Sequence, residues 1–418
     1  MRILSSLIVI FLTLILLMCI VKLFLIIYNQ IMKRGGYMVI GSKELIRDIN
    51  TSLVLETIIK DAPISRVDIS KKTGLTKGTI STIVQNLMDL DLVLETGLLG
   101  NGIGRKSAML QLNKICGYCI TIDIEKHRIR LMGTDMCGNC LGLNTAQINA
   151  NSNIQTETIS LINNFISSVP KSTYHITGIA IAIQDVVKNS IPVFTSYNSD
   201  VLTNLAQNLS AKYNAPVSFH NNSHLAVLGE NVYSMRGKSL AFITSSYNIG
   251  MGIISDNRLF CGSNAQACQL GQMLIDCKGK NTVSLQQCAS IEALMYKLSA
   301  IKGKAINFDD FVQLFKTNDN DAKQIADDFI FYLSLAIKNV IMLYDPEIVV
   351  INSPFTICFD EIFLRLKLSL ETNKSILYRS MLKDEAALYG GAVVNITKFL
   401  KVDNFIPALC YFKHMQIV

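Results

Sequence analysis

The residues best equipped for chemistry lie between Arg66 and Lys106. Lys77, Thr79, Ser81, Thr82 and Gln85 follow Thr76 at spacings that set cationic, hydroxyl and amide groups along one side of a helix. Such groups hydrogen-bond to base edges in a DNA major groove and to phosphate oxygens. Arg105 and Lys106 follow the run Gly100-x-Gly102-x-Gly104, and Arg66 stands in the helix before the Thr76 cap. No strand-to-helix pattern frames those three glycines, so the run reads as a flexible tip carrying two cations and not as a phosphate loop. Two other sets invite a metal. Cys116-x2-Cys119 and Cys137-x2-Cys140, with 17 residues between them, have the spacing of a zinc ribbon, although cysteine also serves as a small buried hydrophobe. His220 and His224 are four apart, but no glutamate follows in a metalloprotease pattern, and a ligand pair is not expected there.

The elements that must position the first set can be read from periodicity. Ile64, Ile69 and Leu75 are apolar anchors of a helix pair, Gly74 supplies its turn, and Thr76 caps the second helix. That helix carries the stripe Ile80, Ile83, Val84, Leu87 and Leu90. A further helix, Ser42–Lys60, precedes the pair, with Ser42 as its cap and Leu45, Ile49, Leu53, Ile58 and Ile59 inward. A strand, the glycine-rich tip and a second strand come after the pair. Helix, helix pair and basic-tipped hairpin in that order predict a winged helix-turn-helix over residues 38–113, with double-stranded DNA as its partner.

Global charge does not carry that prediction. The net charge is +7, but Arg2, Lys22, Lys33 and Arg34 precede Met38 with no acid among them, which leaves +3 for the rest. The odd total of 11 cysteines in a large chain, together with the intracellular location that a DNA-binding domain requires, points to reduced thiols. Residues 1–37 stand apart. Ile3 to Tyr28 is almost continuously apolar and long enough to span a bilayer, with Lys33 and Arg34 holding the DNA-binding domain on the cytoplasmic side. The competing expectation is a mis-assigned start, with translation beginning at Met38. The first reading gives an inner-membrane anchor and the second a cytoplasmic protein.

After Asn113 the pattern changes. Strands are expected at Tyr118–Ile124, Arg128–Thr134 and Leu141–Ile148, a helix near 156–168 and a buried strand at Ile176–Ile183. Later come a helix from Ser223, strands at Leu240–Ile243 and Gly252–Ile254, and helices around 290–300 and 309–315. A long helix at 321–344, a strand at Ile348–Ile351 and a helix at 384–399 complete the chain. Strand meanders followed by αβ alternation predict a two-lobed α/β domain over 114–400, with a tail at 401–418. No internal repeat is evident.

From residue 41 to about 399 the sequence resembles the ROK family (repressors, open reading frames and kinases), and particularly its xylose-repressor-like transcription factors. The matching stretches are GSKELIRDINTSLVLETI, ISRVDISKKTGLTKGTIS, GIGRKSAMLQLN, TIDIEKHRIRL, NNSHLAVLGE, IGMGIISDNRLFCG, LYDPEIVVIN and DEAALYGGAV. The resemblance implies a two-lobed actin-like, sugar-kinase-like (ribonuclease H-like) fold behind the winged helix. It also implies a homodimer or homotetramer and a sugar or sugar phosphate as effector.

The departures from the family are as informative. Its kinases carry a DxGGT-type loop for ATP; here Asp123-Ile124 is followed by Glu125-Lys126-His127, which replaces phosphate-cradling glycines by a repelling carboxylate. Tyr247 and Asn248 replace a threonine and a glycine in the second phosphate loop, and Gln184-Asp185 stands for a Pro-Gly turn. The family's Asn-Asp pair, whose aspartate takes the sugar hydroxyl proton, is Asn221-Asn222, and an amide is no base. Its Glu-x-Gly-His is Gln269-Leu270-Gly271-Gln272, and a later glutamate is Gln286. Of its structural zinc ligands only one survives, the four positions being Gln272, Cys277, Gly279 and Ser284. These substitutions predict no catalytic residue, no metal and no cofactor. They leave Asn221, Asn222, Gln269, Gln272 and Gln286 as a degenerate sugar site. The expectation is a repressor of carbohydrate-utilisation genes; the alternatives are a sugar kinase with an accessory winged helix and a membrane-anchored regulator.

Overall fold

The computed structural model describes residues 43–99, 107–149, 151–194, 199–277, 280–370 and 376–403, together with 405 and 407. The apolar run Ile3–Tyr28, the Ser42 cap and the glycine-rich tip with Arg105 and Lys106 lie outside the described residues. The chain divides into two compact units at Leu53/Val54. Of the first, the described part is the opening half of helix α1 (Lys43–Asp61). Its inward face is the expected one only at its C-terminal end, where Ile58 is buried. Leu45, Ile49 and Leu53 are 39%, 57% and 39% exposed, whereas Val54, Leu55 and Ile58 are buried. The stripe that reaches a core starts at Val54, where α1 joins the cluster of Ile64, Ile69, Ile80 and Leu110.

The second unit opens with strand β1 (Ile64–Ser65) and helix α2 (Arg66–Thr73). Ser65 caps α2 by accepting from the Asp68 amide, and Gly74, at φ 73°, closes it in the left-handed region that glycine enters without strain. Helix α3 (Lys77–Asp89) starts at the Thr76 cap and buries Ile80, Ile83, Val84 and Leu87. Leu90, expected to extend that stripe, is 52% exposed because it is the cap residue that ends the helix. Strands β2 (Val93–Leu99) and β3 (Ser107–Leu112) form the hairpin, and β1 pairs with β3, so the sheet order is β1-β3-β2.

The remainder is built on two five-stranded sheets. The first takes β4 (Tyr118–Ile124), β5 (Arg128–Asp135) and β6 (Cys140–Gln147), then helix α4 (Ile154–Ser168) and β7 (Ile176–Ile183). A hairpin, β8 (Val186–Lys188) and β9 (Ile191–Phe194), leads through helix α5 (Ser199–Tyr213) to β10 (Val217–Asn221). The sheet order is β10-β7-β4-β5-β6. Every residue of β4 and β7 is buried, as parallel strands covered on both faces require.

Helix α6 (Asn222–Glu230) crosses to the second sheet, made from β11 (Leu240–Ser245), β12 (Ile249–Ser255) and β13 (Arg258–Leu259). A small hairpin, β14 (Leu274–Cys277) and β15 (Lys280–Ser284), precedes helices α7 (Leu285–Ala289), α8 (Ile291–Lys302), α9 (Phe308–Lys316) and α10 (Asn320–Tyr344). Strand β16 (Ile348–Asn352), helices α11 (Pro354–Cys358) and α12 (Asp360–Leu368), strand β17 (Ile376–Arg379) and helix α13 (Ala386–Leu400) complete it. The order β13-β12-β11-β16-β17 repeats the topology of the first sheet, an antiparallel meander of three strands extended by two parallel ones. The duplication lies in topology alone and leaves no repeat in the sequence.

Helices α6 and α13 cross between the two sheets, and their approach is set by glycine. A Cβ on Gly390 would fall 1.8 Å from the Leu225 carbonyl oxygen, and one on Gly229 would fall 2.2 Å from that of Ala386. The obstacles are backbone atoms, so relief requires moving a helix. Gly390→Ala should therefore destabilise the fold by about 1–3 kcal/mol despite its better helix propensity. Urea unfolding of the variant checks this, and an unchanged midpoint would contradict the packing described.

Candidate nucleic-acid interface and ligand cleft

On α3 the side chains of Lys77, Ser81, Thr82 and Gln85 are exposed and Thr79 is half-buried. Several have tasks within the helix. The Thr76 hydroxyl accepts from the Thr79 amide at 3.2 Å and lies 2.9 Å from the Thr79 hydroxyl. Thr82 donates to the Gly78 carbonyl at 3.1 Å, and Gln85 donates to Asp89 Oδ1 at 2.8 Å. Lys77 stands in the first turn of α3 and Ser81 one turn further along. Arg66 is held within the head itself, its guanidinium 2.7 Å from Glu95 Oε1 on β2 and 3.5 Å from Met88 Sδ.

The head is fastened to the first lobe by a polar junction at the end of α3. Asp91, at φ 56°, accepts from Asn113 Nδ2 at 2.9 Å and from the Thr173 hydroxyl at 2.5 Å. The neighbouring Tyr174 hydroxyl donates to the Leu90 carbonyl at 2.7 Å, and the Tyr174 ring meets Phe399 edge-on with centroids 5.0 Å apart. Thr173 and Tyr174 lie just before β7. Nothing in local sequence pattern marks these residues, because the partners are 82 and 84 positions apart.

The far end of β7 reaches a cleft of about 430 Å³ between the two sheets. Its floor is an ion-pair network in which Asp123 and Arg130 are buried. Arg130 Nη2 lies 2.7 Å from Asp123 Oδ2 and 3.0 Å from Glu125 Oε1. Arg128 Nε lies 2.9 Å from Glu125 Oε2, and its Nη2 lies 3.4 Å from Asp384 Oδ2. Burial raises the Asp123 carboxyl to about 6, against the opposing pull of Arg130. Glu125, which replaces a phosphate-loop glycine, is thus a bonded member of the wall and not simply a repulsive group. Arg128 and Arg130 fall in the family-matching stretch TIDIEKHRIRL, but nothing in it marks them as partners of Asp123 and Glu125; two cations one residue apart were their only other sequence signal.

The amide residues separate on inspection. A small pocket of about 40 Å³ is lined by Gln184, Asn221, Asn222, Thr244, Asn248 and Gln269, among others. Asn221 is committed to structure: its Oδ1 accepts from the Ser223 and His224 amides at 3.0 and 3.1 Å, and its Nδ2 donates to the Asp185 carbonyl at 3.1 Å. Asn222 lines both the pocket and the larger cleft. Gln286 holds the β11–β12 turn, accepting from the Ile249 amide at 2.6 Å and donating to the Tyr247 carbonyl and Asn248 Oδ1 at 3.0 and 2.8 Å. Asn248 in turn donates to Gln184. Gln272 is exposed and lines neither cavity.

The two cysteine pairs are not assembled into a ligand set. Cys119 is buried, with its sulfur 3.2 Å from the Thr177 hydroxyl and 3.9 Å from Met136 Sδ, while Cys140 is exposed at the start of the edge strand β6. Among the described residues no group of three or more His, Cys, Asp or Glu has the geometry to hold a metal. His220 pairs with the Ser218 hydroxyl at 2.9 Å, and burial pushes its pKa down to about 4. Among the described residues no helix is long and apolar enough to cross a membrane.

Comparison with known proteins accords with this geometry. A model of the ROK family matches residues 119–358, and a model of winged helix-turn-helix DNA-binding domains matches residues 47–93. The xylose repressor of Bacillus subtilis (strain 168) is 30% identical over 324 residues, covering 75% of this chain and 84% of that protein. The DNA-binding transcriptional repressor Mlc of Escherichia coli (strain K12) is 22% identical over 77% of this chain and 85% of its own length. Among solved structures, a ROK-family transcriptional regulator homologous to the Escherichia coli Mlc protein superposes with a TM-score of 0.70 at 21% identity, over 85% of this chain and 96% of that one. A ROK-family glucokinase from Streptomyces griseus superposes with a TM-score of 0.57 at 16% identity, over 66% of this chain and 99% of that one. These likenesses in structure establish the fold.

The Asp123 carboxyl gives a pH prediction. Its pKa is about 6 in the folded chain and about 4 unfolded, so between those values the folded state binds the extra proton. Its contribution to stability therefore falls as pH rises through that window. Asp123→Asn should remove this decline, so that the stability difference between variant and parent grows from about pH 4 to about pH 6. Urea unfolding across that range measures it; a difference independent of pH would mean that Asp123 is ionised throughout.

Proposed function

Because the chain belongs to the ROK family and carries a winged helix-turn-helix ahead of its kinase-like lobes, we propose that it is a sugar-responsive repressor of carbohydrate-utilisation genes, with xylose as the first effector to test. The observation that carries this reading is the continuity of the head with the cleft-bearing lobes: the Asp91 junction joins the end of the recognition helix to the start of β7, and β7 ends at the cleft. Residues 38–113 serve as the reading head and 114–400 as the effector and oligomerisation domain. In a homodimer or homotetramer, two heads bind half-sites of one operator, and sugar binding changes their spacing by preferring one of two states. Such a protein works where the DNA is, in the cytoplasm. The apolar run Ile3–Tyr28 is the feature that favours an anchored version at the inner membrane.

On the operator, Lys77, Ser81, Thr82 and Gln85 face bases or phosphates in the major groove. Thr76 and Thr79 present the amino-terminal end of α3 to a phosphate. Arg105 and Lys106 reach the backbone or minor groove from the wing, and Arg66 orients β2 through Glu95 while lying close to the backbone.

Phosphoryl transfer is not part of this reading. Asn222 cannot accept the proton of a sugar hydroxyl, and Glu125 brings a carboxylate to the place where a nucleotide's phosphates need backbone amides. Incubation with ATP and xylose or glucose should yield no sugar phosphate above a protein-free control; turnover would replace this reading by that of a kinase with an accessory head. The placement of the recognition helix is tested by Lys77→Ala. Operator affinity should fall, and the slope of log affinity against log salt should shrink by about 1. An unchanged slope, measured by fluorescence anisotropy of labelled operator, would remove Lys77 from the interface.

A further inference from the structure

We infer that the interlobe cleft is a two-ring saccharide site, whose ligand is a neutral disaccharide rather than a single sugar or a sugar phosphate. The inference rests on the sugar-responsive reading above and names the ligand class of that same site.

Size is the first argument. The amide pocket, at about 40 Å³, is about a tenth of the volume of the adjoining cleft and well below the roughly 300–1,000 Å³ of small-molecule sites. The adjoining cleft, at about 430 Å³, lies in the range of small-molecule sites, roughly 300–1,000 Å³. Gln184, Asn222, Ser223, Thr244 and Ser246 line both, so the two form one continuous space. A sugar presented to Asn222 therefore occupies the cleft, and the cleft continues past it to the wall formed by Asn307, Phe308, Asp309, Asn352 and Pro354. That further wall offers amide and carboxylate groups for hydroxyls and apolar surface for the C–H face of a ring.

Charge is the second argument. The lining counts four acids (Asp123, Glu125, Asp309 and Asp384) against three bases (Arg128, Arg130 and Lys383), and both arginines are already paired with carboxylates. A phosphate would meet carboxylates and would have to pull the guanidiniums away from them. Hydroxyl groups meet no such opposition.

The third argument is unfinished hydrogen bonding. Asp123 and Arg130 are only 3% and 7% exposed, yet Asp123 Oδ1 and Arg130 Nε have no hydrogen-bond partner in the protein, and neither has the buried Asn352 Oδ1. Buried polar atoms are ordinarily bonded. Two are acceptors and one is a donor, and a sugar hydroxyl, which donates one hydrogen bond and accepts others, can serve either kind.

The test is isothermal titration calorimetry on the full chain with xylose, xylobiose, glucose, cellobiose and xylose 1-phosphate, run beside operator release by each. One disaccharide should bind at least about tenfold more tightly than its monosaccharide and release the operator at correspondingly lower concentration. Asn352→Ala should abolish that advantage, and Asp309→Ala, at an exposed cleft position in the first turn of α9, should reduce it. A monosaccharide that binds and releases the operator as well as its dimer does would overturn this inference and leave the repressor reading standing. Tighter binding of xylose 1-phosphate would also overturn it. If none of the five binds or releases the operator, the inference and the sugar-responsive reading both fall.

Discussion

One guanidinium, that of Arg130, is shared by two carboxylates at the bottom of the cleft. Asp123 and Glu125 sit on either side of Ile124 at the end of β4, and Arg130 reaches both from the neighbouring strand. Without it the buried Asp123 and the half-buried Glu125 would face each other with no guanidinium between them. With it, the β4–β5 hairpin has a fixed shape, and Arg128 carries the network onward to Asp384, directly ahead of α13. That helix packs on α6, β4 and β7, so the ion pairs tie the phosphate-loop position of the first lobe to the helix that closes the molecule. A loop built of glycines would leave its amides open to a ligand. This one is closed by its own side chains.

The duplicated sheets explain why a cleft exists at all. Each sheet covers its own hydrophobic cluster, one around Ile122 and Phe165 and the other around Ile243 and Phe329, while a third joins α6 and α13 to the helices of the head. Beyond that third cluster the space between the lobes stays open, lined by polar and apolar groups alike, and Lys126 lies 3.3 Å from Glu292 across the lobes.

Much of the fold could be read from periodicity alone. The strand Ile176–Ile183 is found at the limits expected, and the meander and the long helix α10 agree within a few residues, because their apolar patterns are strong and uninterrupted. The failures have distinct causes. In α1 the residues Leu45, Ile49 and Leu53 satisfy a helical period as well as Val54, Leu55 and Ile58 do, and only the packing partners decide between them. Strand β1 is two residues long and exists because Ile64 and Ser65 find Leu110 and Met109 across the hairpin. At the candidate site, the amide substitutions were visible one by one, but their grouping was not. Gln272 stands apart, Gln286 supports a turn, and the groups that dominate the cleft, Arg128 and Arg130, sit in a family-matching stretch that gives no sign of their pairing.

The continuous path from head to cleft has a thermodynamic consequence. Strand β7, buried along its whole length and paired on both sides, joins the two ends. At one end Thr173 and Tyr174 grip the loop after the recognition helix; at the other Gln184 enters the wall of the cleft. Two ligands coupled through such an element obey reciprocity: whatever factor the sugar takes from operator affinity, the operator takes from sugar affinity. On the proposed reading, a copy seated on its operator is a poorer sugar binder than one free in solution. The threshold concentration of sugar would then be a property of the protein–DNA complex, and operators of different strength, read by the same protein, would respond at different sugar levels.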